Sequence, residues 1–323
     1  MRVLMWHVHG SWTTSFLQGP HEYLLPVLPD RGADGRGRAR TWDWPGSAVE
    51  VPVEELAGTP FDVVVLQRPE ELGLLTSWTG KRPGIDVPAV YLEHNAPGSR
   101  AATTRHPLAD QVDVPVVHVT HFNRLMWDCG DATTHVVEHG IVDPGHRFTG
   151  ELGRAAVAVN EPVRRGRAVG LDLLPRFAEA APLDVFGMRV HGLGEAIGVP
   201  PDRLGEHEDL PQERMHAELA RRRVYVHPHR WTSLGLGLLE AMHLGLPVVC
   251  LATTEAAVAV PPAAGAVGTD VDELVSAVRR LVHDPVEAAE RGQAAREAAL
   301  ARYSLGRFLA DWEALLDAVV KGT

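Results

Sequence analysis

The sequence predicts an α/β protein of two similar domains, each built on a mostly parallel β-sheet. Three observations indicate this fold class. The chain has 323 residues, enough for about two domains of ordinary size. Short, β-branched apolar runs alternate with helical patterns, which is typical of βα units. A polar segment rich in glycine and turn residues, 140–155, separates two sets of such runs.

The predicted strands are short apolar runs bounded by glycine, proline or polar residues. In the first half they are RVLMWHV, DVVVLQ, PAVYLEH, PVVHVT and THVVEHG, and in the second AAVAVN, LDVFGM, RRVYVHP and PVVCLA. Between the first two runs, RGADGRGRAR (31–40) is predicted to be a glycine- and arginine-rich loop. We place the domain boundary near residue 150, so that the domains cover 1–150 and 151–303.

Residues 304–320 predict an amphipathic helix. Its apolar stripe consists of Leu305, Phe308, Leu309, Trp312, Leu315, Leu316 and Val319.

Composition narrows the class of partner. The net charge of -11 argues against nucleic acid and against electrostatic docking on acidic lipid. No secretion signal is visible, and no apolar run approaches the ~20 residues of a membrane span. Cys129 and Cys250 are far apart and form no CxxC pair, which suits a reducing cytoplasm. We therefore expect a cytoplasmic protein without integral membrane association, and its oligomeric state is not set by the sequence.

The segment VHPHRWTSLGLGLLEAMHLGLPVV, 226–249, reads as a strand, a helix over about 234–244 and a second strand. Thr232 or Ser233 is predicted to cap the helix, and Gly245 to end it. Two further glycines stand where the helix begins, and glycine in a helix costs about 1 kcal/mol relative to alanine.

Gly235 and Gly237 would let another group approach the first-turn amides, and those amides favour an anion such as phosphate. Glu240, about two turns further on, could accept hydrogen bonds from ligand hydroxyls. A phosphate and a diol together indicate a nucleotide. The alternative, which the spacing leaves open, is that the glycines permit close helix–strand packing and Glu240 pairs with an arginine.

This segment resembles the donor motif of the retaining GT-B glycosyltransferases of family 4 (glycosyltransferase group 1), P-S-x-x-E-G-F-G-L-x-x-L-E-A-M-A-x-G-x-P-V-V. The matching residues are Pro228, Gly235, Leu236, Leu239, Glu240, Ala241, Met242, Gly245, Pro247, Val248 and Val249. VVEHGIVDPGHRF, GLDLLPRF and AVGTDVDELVSAVRRLVHDP are similar to further family elements.

The resemblance implies the GT-B fold, two Rossmann-like domains facing across a cleft, with the C-terminal helix crossing back to the N-terminal domain. It implies a metal-independent, retaining transfer of a sugar from a nucleotide diphosphate-sugar, the co-substrate, to a hydroxyl acceptor that we expect to be small or soluble. The donor would bind the C-terminal domain and the acceptor the N-terminal domain, with no cofactor.

Two departures from the family pattern matter. The first family glutamate, which contacts the donor sugar, falls on Thr232, whereas Glu240 is the second, which contacts the ribose. The family lysine falls on Val169, so its phosphate role passes to the RRGR cluster, with Arg164 and Arg165 the first candidates.

The resemblance also implies the remaining site residues. Ser233, Leu234 and Gly235 would contact the donor at the helix start, and His207, with Glu208 beside it, would neighbour the base. On the N-terminal domain, Gly10 and Ser11 would approach the donor.

His94 would orient sugar or acceptor hydroxyls, although a histidine at a strand end is also a common structural residue.

Three rival functions stay open. One is a metal-dependent hydrolase using the His7-x-His9 spacing, although a metal site needs three or four converging ligands and the sequence has no carboxylate-rich partner motif. Another is a nucleotide-sugar-binding partner that has lost turnover through Thr232, and the third is a GT-B epimerase or sugar-phosphate donor enzyme.

Overall fold

The structure is a computed structural model that describes residues 1–98 and 100–322, and it consists of two compact units. The first unit is Met1–Val142 with Leu305–Thr323, and the second is Asp143–Ser304. Each unit contains one parallel sheet.

The first unit has seven parallel strands. They are β1 (Arg2–Met5), β2 (Glu22–Val27), β3 (Ala48–Pro52), β4 (Val63–Leu66), β5 (Ala89–Glu93), β6 (Val116–His118) and β7 (Thr134–Val136). Their order in the sheet is β3-β2-β1-β4-β5-β6-β7. The helices between them are α1 (Gly10–Phe16), α2 (Glu70–Thr79) and α3 (His121–Met126), with short 3-10 helices at Val53–Gly58 and Ala101–Thr103.

The second unit has six parallel strands. They are β8 (Leu152–Ala158), β9 (Leu183–Gly187), β10 (Leu204–Glu208), β11 (Arg222–His227), β12 (Val248–Leu251) and β13 (Gly265–Gly268), in the order β10-β9-β8-β11-β12-β13. Its helices are α4 (Pro162–Arg165), α5 (Leu174–Ala180), α6 (Leu193–Ile197), α7 (Gln212–Leu219), α8 (Leu236–Leu244), α9 (Ala256–Ala259), α10 (Val271–His283) and α11 (Pro285–Arg302). Short 3-10 helices occupy Gly166–Val169, Leu171–Leu173 and Pro262–Ala264.

All predicted strands are present, and four strands were missed: β2, β3, β10 and β13. Pro26 interrupts the apolar run of β2, and proline normally argues against an inner strand. β3 and β10 lie at sheet edges and carry polar residues, whereas β13 (GAVG) has almost no apolar side chain to give a pattern.

The last helix, α12 (Leu305–Gly322), belongs to the first unit, as the amphipathic pattern and the family fold predict. Trp312 is 1% exposed, and its ring centroid lies 5.6 Å from that of Trp12 and 5.0 Å from that of Phe16. Phe308 is fully buried beside them. The apolar stripe therefore completes the core of the N-terminal sheet.

Within the described part of the chain, no helix combines the length and the apolar character needed to cross a bilayer.

Candidate functional site

Ligands of open parallel sheets bind at the carboxyl ends of the strands, where the strand order reverses. In the second unit this point lies between β8 and β11. The loop after β8 leads into α4, which carries Arg164 and Arg165. The loop after β11 carries residues 232–235 and leads into α8, which carries Glu240.

Helix α8 starts two residues later than predicted. Gly235 occupies its N-cap position with an extended backbone (φ −70°, ψ 120°). The predicted cap by Thr232 or Ser233 is wrong, because the capping position falls on a residue without a side chain. The helix ends as predicted, at Gly245 in the left-handed conformation (φ 91°). Gly235 therefore offers no side-chain cap to the first turn of α8, and first-turn amides attract anions.

Packing within the second unit accounts for both glycines of the helix start. A Cβ atom on Gly235 would lie 2.6 Å from Cε1 of His227, and one on Gly237 would lie 2.9 Å from Cβ of Ala158. Neither approach is possible without movement of the neighbour. The close-packing alternative left open by the sequence thus holds for these positions, and it does not exclude a ligand at the amides.

Two buried histidines stand beside the helix start, and the sequence analysis missed both. The rings of His227 and His229 stack with centroids 4.2 Å apart. Burial lowers the pKa of His227 to about 3, and burial, His227 and the charge of Arg165 hold that of His229 well below its ordinary value. Neither ring nitrogen of His227 has a hydrogen-bond partner within the described residues. The signal in the sequence was the H-P-H spacing at the end of a buried strand.

Arg164 and Arg165, the two candidate phosphate ligands, differ in their surroundings. Nε of Arg164 donates to Oε2 of Glu161 at 3.0 Å, and the Arg164 side chain is 66% exposed. Arg165 is half-buried, its pKa is lowered by burial and by the charge of Arg164, and its guanidinium contacts no acceptor among residues 1–98 and 100–322. Because an unpaired, desolvated guanidinium is costly, Arg165 is the better placed to accept an anion.

Glu240 is buried in the second half of α8, with 3% of its surface exposed. Nε2 of Gln212 donates to its Oε1 at 3.1 Å, and Nε2 of His216 lies 3.5 Å from its Oε2. Both partners belong to α7. The open alternative of an arginine partner is therefore wrong, and a ribose diol would have to share the carboxylate with Gln212.

Thr232 is half-buried, whereas Ser233 and Leu234 are each 5% exposed. All three residues lie in the loop between β11 and α8, next to Gly235. The structure thus brings the predicted donor residues of this loop together.

His207 lies on the edge strand β10. Its ring stacks on Phe186 with centroids 4.3 Å apart, and its Nε2 lies 3.5 Å from Oδ1 of Asp184. Asp184 is 2% exposed and also accepts from Arg154 (2.8 Å) and Arg222 (2.7 Å). The network around Asp184 was not predicted, because LDVFGM was interpreted only as a strand. The signal in the sequence was Asp184 itself, a charged residue inside an apolar run.

Glu208, predicted beside the base, has its carboxylate occupied. It accepts from the backbone amides of Arg189 (2.7 Å), Val190 (2.7 Å) and His191 (2.9 Å). It therefore holds the turn after β9.

In the first unit, the corresponding reversal point lies between β1 and β4, and it gathers His9, Gln67 and His94. Nε2 of Gln67 donates to the Trp6 carbonyl at 2.7 Å, which directs its Oε1 to Nε2 of His94 at 2.8 Å. His94 must then carry its proton on Nε2, leaving Nδ1 as an acceptor. Burial, His9 and His139 hold the His94 pKa well below 6.5, so the imidazole is neutral.

Gly10 is the first residue of α1, and a side chain there would collide with the ring of Trp42. Ser11 follows it, half-buried. Both predicted residues therefore lie on the same loop-to-helix junction as His9, in the unit that holds His94.

The histidine pair proposed for a metal hydrolase is engaged elsewhere. Nδ1 of His7 lies 3.2 Å from the Gly37 carbonyl, and the His9 ring lies against that of His94. Across the residues that the structure describes, no group of three or more His, Cys, Asp or Glu residues is arranged to hold a metal ion.

Comparisons with known proteins now bear on this geometry. Residues 204–298, which include β10 through α10 and most of α11, match the model of the family "Glycosyl transferases group 1". This stretch is therefore similar to glycosyltransferase group 1 sequences. The match confirms the resemblance predicted from the donor motif. A comparison with curated proteins finds no match.

Solved structures show the fold. Sucrose-phosphate synthase from Thermosynechococcus elongatus is similar with a TM-score of 0.73 at 14% identity, covering 100% of both chains. Anabaena HepE in complex with UDP has a TM-score of 0.71 at 14% identity, covering 98% of this chain and 100% of that one. AviGT4, a glycosyltransferase involved in avilamycin A biosynthesis, has a TM-score of 0.62 at 16% identity, covering 100% and 99%. The predicted GT-B fold is confirmed.

Proposed function

We propose that this protein is a retaining, metal-independent glycosyltransferase of the hexosyltransferase type. It moves a sugar from a nucleotide diphosphate-sugar to the hydroxyl group of a small or soluble acceptor in the cytoplasm. The second unit binds the donor and the first unit binds the acceptor. The observation that carries the proposal is Arg165, the last residue of α4. It is half-buried without an acceptor in the described chain, and its charge acts on His229, in the loop that leads to the helix α8 of the group 1 match.

The donor site combines two sources of positive potential with a pair of neutral hydrogen-bonding rings. The first-turn amides of α8 provide partial charges, and Arg165 provides a full charge that can bind phosphate oxygens bidentately. His227 and His229 are neutral and buried, so they donate or accept single hydrogen bonds without adding charge. These groups suit a diphosphate, and Glu240 suits the ribose hydroxyls attached to it.

The reaction needs one bond broken and one formed. The bond between the anomeric carbon and the diphosphate oxygen breaks, and the acceptor oxygen bonds to that carbon on the same face. The acceptor proton passes to the departing diphosphate oxygen. Arg165 and the α8 amides stabilise the negative charge that develops on the diphosphate, which is the largest electrostatic demand of the step.

His94 would orient a hydroxyl through its free Nδ1, which can only accept a hydrogen bond. The Gln67 contact fixes the ring, so the accepting nitrogen keeps its direction. This role is one of positioning, since a retaining transfer of this kind requires no protein nucleophile.

UDP is the first nucleotide to test. The titles of the HepE structures name UDP and UDP-glucose, and that of TarM from S. aureus names UDP. His207, stacked on Phe186, is proposed as the neighbour of the base.

A second candidate follows from Thr232. With no carboxylate at this position, the protein would bind a nucleotide-sugar without turning it over. Binding alone cannot separate the two functions, whereas formation of a glycosylated product does.

The test is a calorimetric titration with UDP, GDP and TDP on wild type, Arg165→Ala and Glu240→Ala. Arg279→Ala is the control, because it removes an exposed arginine of the same unit. We expect one diphosphate to bind, with affinity reduced about tenfold or more in the two site variants and unchanged in the control. If no diphosphate binds to wild type, the proposal fails. If one binds but no acceptor is glycosylated from its sugars, the binding-partner function replaces it.

A further inference from the structure

The arginine-rich loop 31–40 belongs to the first unit and contains none of the predicted donor residues. It is folded onto that unit by backbone hydrogen bonds. The amide of Leu28 donates to the Gly35 carbonyl at 2.9 Å, and that of Gly37 donates to the Pro26 carbonyl at 3.0 Å. The loop therefore holds its side chains in a defined arrangement.

This loop encloses a basic depression of about 350 Å³. Its lining consists of His7, Asp30, Arg31, Arg36, Arg38, Ala39 and Arg40. The surrounding charge is unusual for a chain with a net charge of -11. Four arginines line the depression, against one carboxylate in the lining, Asp30.

Two of the four arginines are engaged in holding the loop. Arg31 forms a bidentate pair with Glu50 at 2.8 and 2.9 Å. Arg38 donates to the carbonyls of Pro45 (2.8 Å) and Ala48 (2.5 Å). These contacts explain the shape of the depression. The carboxylate of Glu50 is occupied by Arg31.

Arg36 and Arg40 are exposed, and within the described ranges neither guanidinium has a hydrogen-bond or ion-pair partner. Both are therefore available to a ligand. Guanidinium groups bind phosphate oxygens through two parallel hydrogen bonds, and two of them match a doubly charged phosphate monoester.

The depression adjoins the point where strand order reverses in the same sheet. His7 follows β1, its Nδ1 lies 3.2 Å from the Gly37 carbonyl, and its ring packs against Trp44 with centroids 4.7 Å apart. The charge of Arg36 contributes to the lowered pKa of both His7 and His9. Arg36 therefore lies within electrostatic range of His9, whose ring lies 4.1 Å from that of His94 between centroids.

We infer that the loop 31–40 binds a phosphate group on the acceptor, through Arg36 and Arg40, while the acceptor hydroxyl lies near His94. The acceptor class is then a phosphorylated small molecule, such as a sugar or polyol phosphate. This inference rests on the proposed function for the word acceptor, whereas the phosphate site itself is independent of it.

Phosphorus NMR on the full chain, with UDP added to occupy the donor side, measures the binding of inorganic phosphate and tests the site directly. Arg36→Ala and Arg40→Ala remove the two free guanidiniums. Arg165→Ala removes the arginine of the donor side, and Arg124→Ala removes an exposed arginine of the first unit away from the loop. We expect affinity to fall about tenfold or more in each loop variant and to persist in Arg165→Ala and Arg124→Ala.

Three outcomes overturn the inference: phosphate binding that survives in Arg36→Ala and Arg40→Ala, binding lost only in Arg165→Ala, or acetate binding as tightly as phosphate. A transfer assay then compares sugar phosphates with the same sugars lacking phosphate. We expect KM for the phosphorylated acceptor to rise in Arg36→Ala with kcat and diphosphate affinity little changed. If wild type binds no diphosphate, the proposed function is wrong, but binding of phosphate to the loop 31–40 is still tested by the loop variants. The two failures are therefore distinguishable.

Discussion

The imidazole rings of His9 and His94 have their centroids 4.1 Å apart. His9 follows β1 and His94 follows β5, the two strands on either side of β4 in the N-terminal sheet. Two charged rings could not remain so close, and both are held neutral. For His9, burial, Arg36 and His7 lower the pKa to about 4, and for His94 burial acts together with His9 and His139. The pair is therefore a site of uncharged hydrogen-bonding groups, and Gln67 fixes its direction.

Acidification should leave both rings uncharged. From about pH 7.5 to 5.5 we expect no change in the imidazole nitrogen shifts of His9 and His94 by NMR. In the unfolded chain these histidines take up protons below their ordinary pKa of 6.5. In the folded chain His9 takes up a proton only near its lowered pKa of about 4. The free energy of unfolding should therefore fall as pH falls through this window. A titration midpoint near 6.5 for either ring would contradict the burial argument.

Substitution of Gly235 should disturb the second unit. In Gly235→Ala the new Cβ would lie 2.6 Å from the buried ring of His227, which has no room to retreat. We expect a loss of about 1–3 kcal/mol in the free energy of unfolding, measured with urea. Gly73→Ala is the control, because Gly73 is exposed in α2 with nothing within 4 Å of its Cβ position. Alanine there should stabilise by up to about 1 kcal/mol. Equal effects at the two positions would refute the packing explanation.

Removal of the charge on Asp184 should be costly. Burial opposes ionisation of this carboxyl, but hydrogen bonds from His207, Arg154 and Arg222 outweigh burial and hold its pKa below the ordinary range. Asp184→Asn removes the charge that the buried Arg222 shares with Arg154 and leaves Arg222 paired with Glu218 alone, so we expect the free energy of unfolding to fall by about 3 kcal/mol. Asp86→Asn, in an exposed pair with Arg82, should have little effect in the same urea experiment.

The sign of the pH effect follows from the lowered pKa of Asp184. Its contribution to stability is present above the ordinary pKa of 3.8 and is lost only as pH falls through the lower folded-state value. Wild type and Asp184→Asn should therefore differ in stability at neutral pH and converge in strong acid. A constant difference across that range would show that charge is not the cause.

Glu240 should matter to nucleotide binding beyond its contact with α7. Glu240→Gln keeps the size of the side chain and removes the charge that a ribose diol would bind. We expect UDP affinity to fall about tenfold. Gln212→Ala removes the 3.1 Å contact to Glu240 and should leave UDP affinity unchanged by calorimetry. Wild-type affinity in Glu240→Gln would mean that the carboxylate serves only to join α7 to α8.

Local pattern determined the fold class. Short β-branched runs read correctly as parallel strands because strands buried on both faces need continuous apolar sequence. The stripe of α12 was readable because a surface helix buries one face. The donor helix was located by its motif, and the family match over 204–298 confirms the resemblance. Edge strands such as β10 escaped because they need little apolar sequence.

Only the tertiary structure decided which polar groups are engaged. Arg164 and Arg165 are adjacent in sequence, and the sequence could not tell that one pairs with Glu161 while the other has no acceptor in the described chain. The sequence likewise named His9 and His94 without placing their rings in contact. An apolar pattern reports which face of one element is buried, and that is a local property. Ion pairing and protonation depend on the approach of residues distant in sequence, and therefore only the folded chain defines the site.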